Sequence, residues 1–513
     1  MKNTLRTLLS LLLIGLLLSG CWQAEVPEED TALLPPDERA EEEETPSSVL
    51  PQNFSLPYAP AQTLDPITCP DGMQQVVTSL ICEGLFRLDG NFRTENVLCA
   101  GYTYDPTSYT YVFTLQENVL FSDGSPLTAS DVKASLDRAR QSARYQARLA
   151  RVVSVSAKDG AVTVRLSAPD VSFPALLDIP IVKSGTQDVP TGTGPYVLTA
   201  RDTGKVLTAN PHWRQGKPPV ECITLVEAAD ADAMRYRFIS HDVQLILADL
   251  TGSSSFTATG RIGYQDAGTT VLQYIVCNTA LAPLDNPALR QALSMGVNRE
   301  DVAEGFLSGH GIASQFPVSP LSDLYPSELE TRYSYDAFVQ ALKDCNYVPE
   351  RTLTLLVNEE NTFKVSVAAA LAEDFTAAGV PVEIRVLPWD AYTLALEEGD
   401  FDLCYGEVRL PANWDLSGLL SSEGALNYGG WTDERTDALL SAWAKAGDST
   451  AMEALCRYLW EQSPILPVCF KSVTILTQAE VVEGLTPTTQ EPFYHPENCV
   501  IHLREEEGSG IQE

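Results

Sequence analysis

Residues 353–387 pass from strand to helix to strand in a way that few folds accept. Leu353 to Val357 is an apolar run of strand length, and Val382 to Leu387 is a second one. Between them, Val365 to Ala378 carries Val367, Leu371 and Phe375 at four-residue steps, and Gly379 supplies a helix C-cap. Two strands joined through a helix of this length lie side by side and parallel, by a right-handed crossover. The spacing therefore predicts an α/β fold with a parallel or mixed sheet. Similar signals recur upstream. Tyr109, Tyr111, Phe113 and Leu115 alternate with Thr110, Val112 and Thr114, as in a half-buried strand. Asp123-Gly124-Ser125-Pro126 is a turn by composition. Thr128 and Asp131 then have the spacing of a capping box, opening a helix with Val132 and Leu136 on one face. Val162, Val164 and Leu166 mark another short strand.

The N-terminus is an address rather than part of the fold. Lys2 and Arg6 precede an apolar stretch, Leu8 to Leu18, of eleven residues. A membrane-spanning helix needs about 20, so the stretch fits a secretory signal. It runs into Leu18-Ser19-Gly20-Cys21, which resembles a bacterial lipobox; the resemblance implies cleavage before Cys21 and lipidation of its thiol. From Trp22 to Leu50 ten acids face the single base Arg39, with Pro27, Pro35, Pro36 and Pro46 interspersed. Such a segment has too little apolar surface to order itself and is expected to be a solvated, self-repelling tether. Residues 504–513 are expected to fray.

The remaining 450-odd residues suffice for about three domains or two large lobes. A net charge of −35 repels phosphate backbones and anionic lipid, which disfavours nucleic-acid binding and polybasic membrane attachment. Ten cysteines remain besides Cys21, none in CxxC spacing and most within apolar stretches, which favours reduced, buried thiols over disulfides. The five histidines are scattered without zinc-like spacing, and neither a metal nor another cofactor is implied. No GxSxG, HExxH or P-loop pattern is present; Thr191-Gly192-Thr193-Gly194-Pro195 is glycine-rich but lacks the following Lys-Ser/Thr. The expectation is a protein that is not an enzyme.

Several segments, in order, resemble the extracytoplasmic solute-binding proteins of oligopeptide, dipeptide and nickel ABC importers, solute-binding protein family 5. They are Leu80 to Asp89, Tyr109 to Arg140, Thr191 to Tyr196, Asn210 to Trp213 with Gly216-Lys217-Pro218, Cys277-Asn278-Thr279, Ala288 to Arg299, and Gly399 to Leu403. The resemblance covers roughly residues 52–503. It implies a periplasmic-binding-protein-like molecule, two lobes with a hinge plus an extra domain. Domain I would comprise 51–78, 184–270 and 473–503, domain II 79–183, and domain III 271–472. It also implies a monomer that delivers a small solute or peptide to ABC permease transmembrane subunits, outside the cytoplasmic membrane. Phe121-Ser122-Asp123-Gly124 and the glycines at 192 and 194 are expected to shape turns and crossovers rather than to touch ligand.

In peptide-binding relatives a Gly-Trp pair after the Gly399–Leu403 motif precedes an acid that pairs with the ligand's α-ammonium. Here Gly406 is followed by Glu407, and Arg409 and Leu410 occupy the region of that acid. Glu407 and Asp415 are the acids nearby, neither in the matching position. A guanidinium at Arg409 favours a carboxylate or phosphate on the ligand; the alternative is a same-face pair with Glu407. Trp414 has two readings, stacking on ligand or packing in the core. A second cleft strand is expected after Thr63-Leu64-Asp65-Pro66, with main-chain groups of Thr68, Cys69 and Asp71 binding by strand addition. The ligand expected is a peptide. The rivals are a module drifted toward a non-peptide, anionic ligand or sensing, and a surface enzyme.

Overall fold

The computed structural model describes residues 50–70, 72–186, 189–202, 204–252 and 261–504. The leader with Cys21, the tether up to residue 49, Asp71 and the tail from 505 lie outside the described residues.

Two small sheets share one hydrophobic core. The first has the order Phe54–Tyr58, Cys222–Glu227, Gly204–Ala209, Tyr196–Arg201, with the first pair parallel and the rest antiparallel. The second is antiparallel, in the order Cys99–Asp105, Thr110–Leu115, Ala161–Leu166, Val152–Lys158. Tyr111 and Phe113 point inward with no exposure, as their alternation predicts, and join Phe54, Leu56 and Leu225 in a single cluster. Thr128 opens the helix Ala129–Ala139 with both halves of the capping box formed to Asp131, and Val132 and Leu136 are buried beneath it.

A larger mixed sheet of seven strands organises the second lobe, and two two-stranded sheets, one containing Phe86–Leu88, complete the described strands. Leu353–Asn358 pairs parallel with Val382–Leu387 on one side and with Leu403–Arg409 on the other. The helix Thr362–Ala377 links the first two, as the sequence predicts, but starts three residues earlier because Asn361 caps the amide of Lys364. Separate apolar clusters cover the two faces of this sheet, one with Leu355, Val367 and Phe375, the other with Leu356, Tyr392 and Trp443.

Two long antiparallel strands, Ile262–Cys277 and Ile465–Gln478, join these halves. Ala267 and Ile475 belong to the core of the first lobe, whereas Leu272 and Phe470 belong to that of the second. The register between the strands shifts between Gly268 and Leu272, and a bulge of this kind bends and twists a ribbon. The domain limits expected at 270/271 and 472/473 fall inside this ribbon. All ten described cysteines are unpaired, and eight of them are buried.

Candidate functional site

A cavity of about 750 Å³ lies where the two small sheets' lobe meets the seven-stranded lobe. One wall comes from residues 144–151, a run of helical turns after the helix Ala129–Ala139, held by Gln146 N to Ser142 O at 2.9 Å and Leu149 N to Tyr145 O at 3.0 Å. This run presents Arg144, Arg148 and Arg151 to the cavity. The opposite wall is the end of the strand Leu403–Arg409 and the loop after it, including Arg409, Asn413 and Asp415. Thr488, Thr489 and Gln490 supply a third side.

The electrostatics of this cavity differ from those of the whole chain. Acids outnumber bases 69 to 34 overall, but the lining holds four arginines against Asp89, Asp170, Asp178 and Asp415, with no lysine or glutamate. Arg148 is ion-paired with Asp178, and burial lowers its guanidinium to about 10, so it stays charged at neutral pH. Arg151 donates through one amino group to Asp415 at 2.7 Å and to Ser417 Oγ at 2.9 Å. Its Nη1 is buried without a hydrogen-bond partner. Arg144 Nη1 donates to the carbonyl of Cys69 at 2.8 Å. Asp170, 4% exposed, is pushed up to about 6; burial is the main cause, Arg151 opposes it and Asp415 adds to it.

The residues singled out in the sequence separate in space. Arg409 and Asp415 line this cavity, whereas Glu407 lines another of about 510 Å³. There Glu407 lies 4.0 Å from Lys364 Nζ and 3.9 Å from Lys471 Nζ, two lysines that are 7% and 5% exposed. Trp414 is 1% exposed, edge-on to Phe92 and Phe470 at centroid distances of 5.2 and 5.9 Å; it is packed in the second lobe's core and has almost no surface to offer a ligand. Among the described residues no strand directly follows Pro66, and Thr68 and Cys69 stand in a helical turn, which corrects the strand-addition expectation for these two residues. Asp65 instead accepts from Ile67 N at 3.3 Å and Thr68 Oγ1 at 2.8 Å. The amides of Thr68 and Cys69 close a helical turn onto the Asp65 carbonyl, the usual preference of a side-chain oxygen ahead of a turn. Thr68 is exposed and Cys69 buried, and neither lines the cavity.

Arg144, Arg148 and Arg151 were not singled out in the sequence. Their signal was there: steps of four and three residues place all three on one helical face, in a chain poor in bases. Among the described residues no group of three or more His, Cys, Asp or Glu side chains is placed to hold a metal ion.

The chain is 26% identical over 444 residues to the glutathione-binding protein GsiB of Salmonella typhimurium strain LT2, covering 79% of this chain and 86% of that one. The Escherichia coli K12 protein of the same name is 24% identical over 443 residues, with coverage of 79% and 86%. Among solved structures, the unliganded open form of the periplasmic murein tripeptide binding protein MppA superposes with a TM-score of 0.74 at 19% identity, over 88% of this chain and 98% of that one. The nickel ABC transporter protein of Bacillus halodurans gives 0.74 at 18%, over 88% and 100%. The sequence profile of the bacterial extracellular solute-binding proteins, family 5 Middle, matches residues 94–422, more than half of the chain. The chain belongs to the bacterial extracellular solute-binding proteins of family 5.

Proposed function

We propose that this solute-binding protein captures a short, carboxylate-bearing solute of the peptide class in the cavity between its lobes and hands it to an ABC permease. The observation that carries this reading is the concentration of Arg144, Arg148, Arg151 and Arg409 around about 750 Å³ of space in a strongly acidic chain. Binding sites for small molecules span roughly 300–1,000 Å³, so a solute of short-peptide size fits. Planar guanidinium groups match carboxylates in two-point geometry, which lysines do not. Two relatives, named for glutathione and for a murein tripeptide, bind solutes of this chemical class. Cys21 would carry the lipid that holds a monomer at the outer face of the membrane, with residues 22–50 as its tether.

A second reading, a non-peptide acid, draws on the position of the ammonium-binding acid in peptide-binding relatives. Arg409 and Leu410 stand in that region, Asp415 is engaged by Arg151, and Glu407 lies in the other cavity. Native mass spectrometry of the chain purified without refolding separates the two: a spread of short-peptide masses supports the first, a single non-peptide acid the second.

For the solute so identified, Arg409→Ala is expected to remove about 1.5–3 kcal/mol of binding, or about 10–100-fold in Kd by calorimetry. An unchanged Kd would take Arg409 out of the site. Cys21→Ser is expected to move the protein from the membrane pellet to the soluble fraction; retention in the pellet would count against the lipid anchor.

A further inference from the structure

Two aromatic residues from opposite lobes meet at the rim of the cavity, and both have the left-handed backbone that bulky side chains rarely adopt. Phe92 has φ 63° and Trp414 φ 55°. Each sits at the tip of a turn fixed by an acid or amide side chain. Asp89 Oδ1 accepts from the amides of Asn91 and Arg93, both at 2.8 Å, and Asn413 Oδ1 accepts from the amide of Asp415 at 3.2 Å. The first turn follows the strand Phe86–Leu88 of the first lobe, yet Phe92 packs against the apolar cluster of the second. Trp414 meets it edge-on, with an interplanar angle of 82°.

The neighbours of Trp414 cross the same boundary. Asn413 Nδ2 donates to Asp170 Oδ2 at 2.8 Å, and Asp415 accepts from Arg151 at 2.7 Å. Three consecutive residues of one lobe thus each hold a residue of the other. Two of the eleven described non-glycine residues with left-handed backbone thus touch each other across the boundary between the lobes, and unusual backbone geometry at such a contact points to a conformational role.

We propose that Phe92 and Trp414 form an interlobe latch, clamped on either side by the Asn413–Asp170 and Asp415–Arg151 contacts, and that the cleft opens only when this latch parts. Arg151 is both a wall of the cavity and a clamp of the latch, so it positions the lobes as well as facing the solute. The latch stands apart from which solute the cleft takes.

The clamp also responds to pH. Asp170 is faced by Arg151 and Asp415, and by the hydroxyls of Tyr104 and Tyr111, the latter donating to its main-chain carbonyl at 2.7 Å. Of the groups that the other lobe brings up, Asp415 raises this carboxyl more than the amide of Asn413, donating to it, lowers it. The docked state therefore binds the proton more tightly than the parted one. Docking strengthens as pH falls through about 6 and weakens above it.

Hydrogen–deuterium exchange on the full chain, freed of co-purified solute by exhaustive dialysis, tests the latch. Phe92→Ala, in the first lobe, is expected to speed exchange of residues 411–418 in the second by about tenfold or more, leaving Leu353–Asn358 unchanged. Asp415→Asn keeps an oxygen to cap Ser417 but removes the charge opposite Arg151. It is expected to speed exchange of residues 89–93 in the first lobe. The double variant should exceed the larger single effect only slightly, since both part the same contact. In Asp170→Asn the change in interlobe protection between pH 5 and pH 7, after correction for intrinsic exchange rates, should disappear. If each variant loosens only its own turn, or the two effects simply add, the latch is overturned. Because no solute is present, these outcomes are independent of the ligand reading.

Discussion

Replacing Gly192 with alanine is expected to destabilise the protein by about 3 kcal/mol or more, the upper range for overpacking a closed interior. The reason is close approach rather than backbone freedom. A Cβ on Gly192 would overlap the carbonyl oxygen of Ile81 and come within 2.6 Å of Cys82 Sγ. The obstacle is main chain, so no rotamer change relieves it. The surrounding contacts are also fixed: Gly194 N donates to Ile81 O at 2.9 Å, Tyr196 N to Leu80 O at 3.0 Å, and Ser122 N to Gly192 O at 2.9 Å. Asn210 Nδ2 closes the joint on Gly194 O at 2.8 Å. Shifting the Gly192 backbone would therefore strain several hydrogen bonds at once. Thermal unfolding of Gly192→Ala should show a melting temperature several degrees below wild type. Gly101→Ala is the control, because a Cβ there meets nothing within 4 Å. A Gly192→Ala protein melting within about 1 °C of wild type would show that residues 80–82 can retreat.

That joint also shows how much of the molecule was legible in the sequence. The segments around Leu80, Ser122, Gly192 and Asn210 each carried part of the family resemblance, and the structure brings all four to one crossing. Local signals were equally dependable where local physics decides the outcome. The alternation at Tyr111 and Phe113, the Thr128–Asp131 capping box and the strand–helix–strand of residues 353–387 all formed as read. The cleft was less legible because its walls are assembled from segments that do not meet in sequence. Arg151 and Asp415 are 264 positions apart and 2.7 Å apart in space. Glu407 and Arg409 taught the converse. Two positions apart on one strand, they still line different cavities, because the strand ends where the neighbouring ribbon has shifted register. The turn after Pro66 was misjudged for another reason: the family's extended cleft strand was carried over, while Asp65 offered its own side chain to the following amides.

Arg299→Met is expected to be as damaging as Gly192→Ala, about 3–5 kcal/mol, by the opposite mechanism of removing partners rather than adding bulk. Arg299 ends one of the resembling segments, and a buried arginine invites the reading of a ligand contact. It touches no cavity described above; it is 8% exposed, and its partners are main-chain carbonyls and one hydroxyl. Nε donates to Pro467 O at 2.8 Å and Ser314 O at 3.1 Å, Nη1 to Ser294 O at 3.1 Å, and Nη2 to Ser294 Oγ at 2.9 Å. One side chain thus ties the helix Pro287–Met295 to the long strand Ile465–Gln478. Burial lowers its guanidinium to about 10, so it remains charged at neutral pH, with carbonyl dipoles in place of water. Methionine fills the space but takes this donor from every one of those acceptors, of which the Ser294 carbonyl keeps the amide of Val297; a buried acceptor left unpaired costs about 1–3 kcal/mol before relaxation. Lysine restores the charge but lacks the planar spread to reach both elements, so Arg299→Lys should recover only part of the loss. The comparison that isolates burial is Arg457→Met. That side chain is about half exposed and paired with Glu453 at 2.5 Å one helical turn away, a contact of the kind that contributes about 0.3–0.5 kcal/mol. Urea denaturation of the three variants should rank Arg299→Met lowest and Arg457→Met indistinguishable from wild type. Equal stability of the two methionine variants would mean that the carbonyls around residue 299 find other donors.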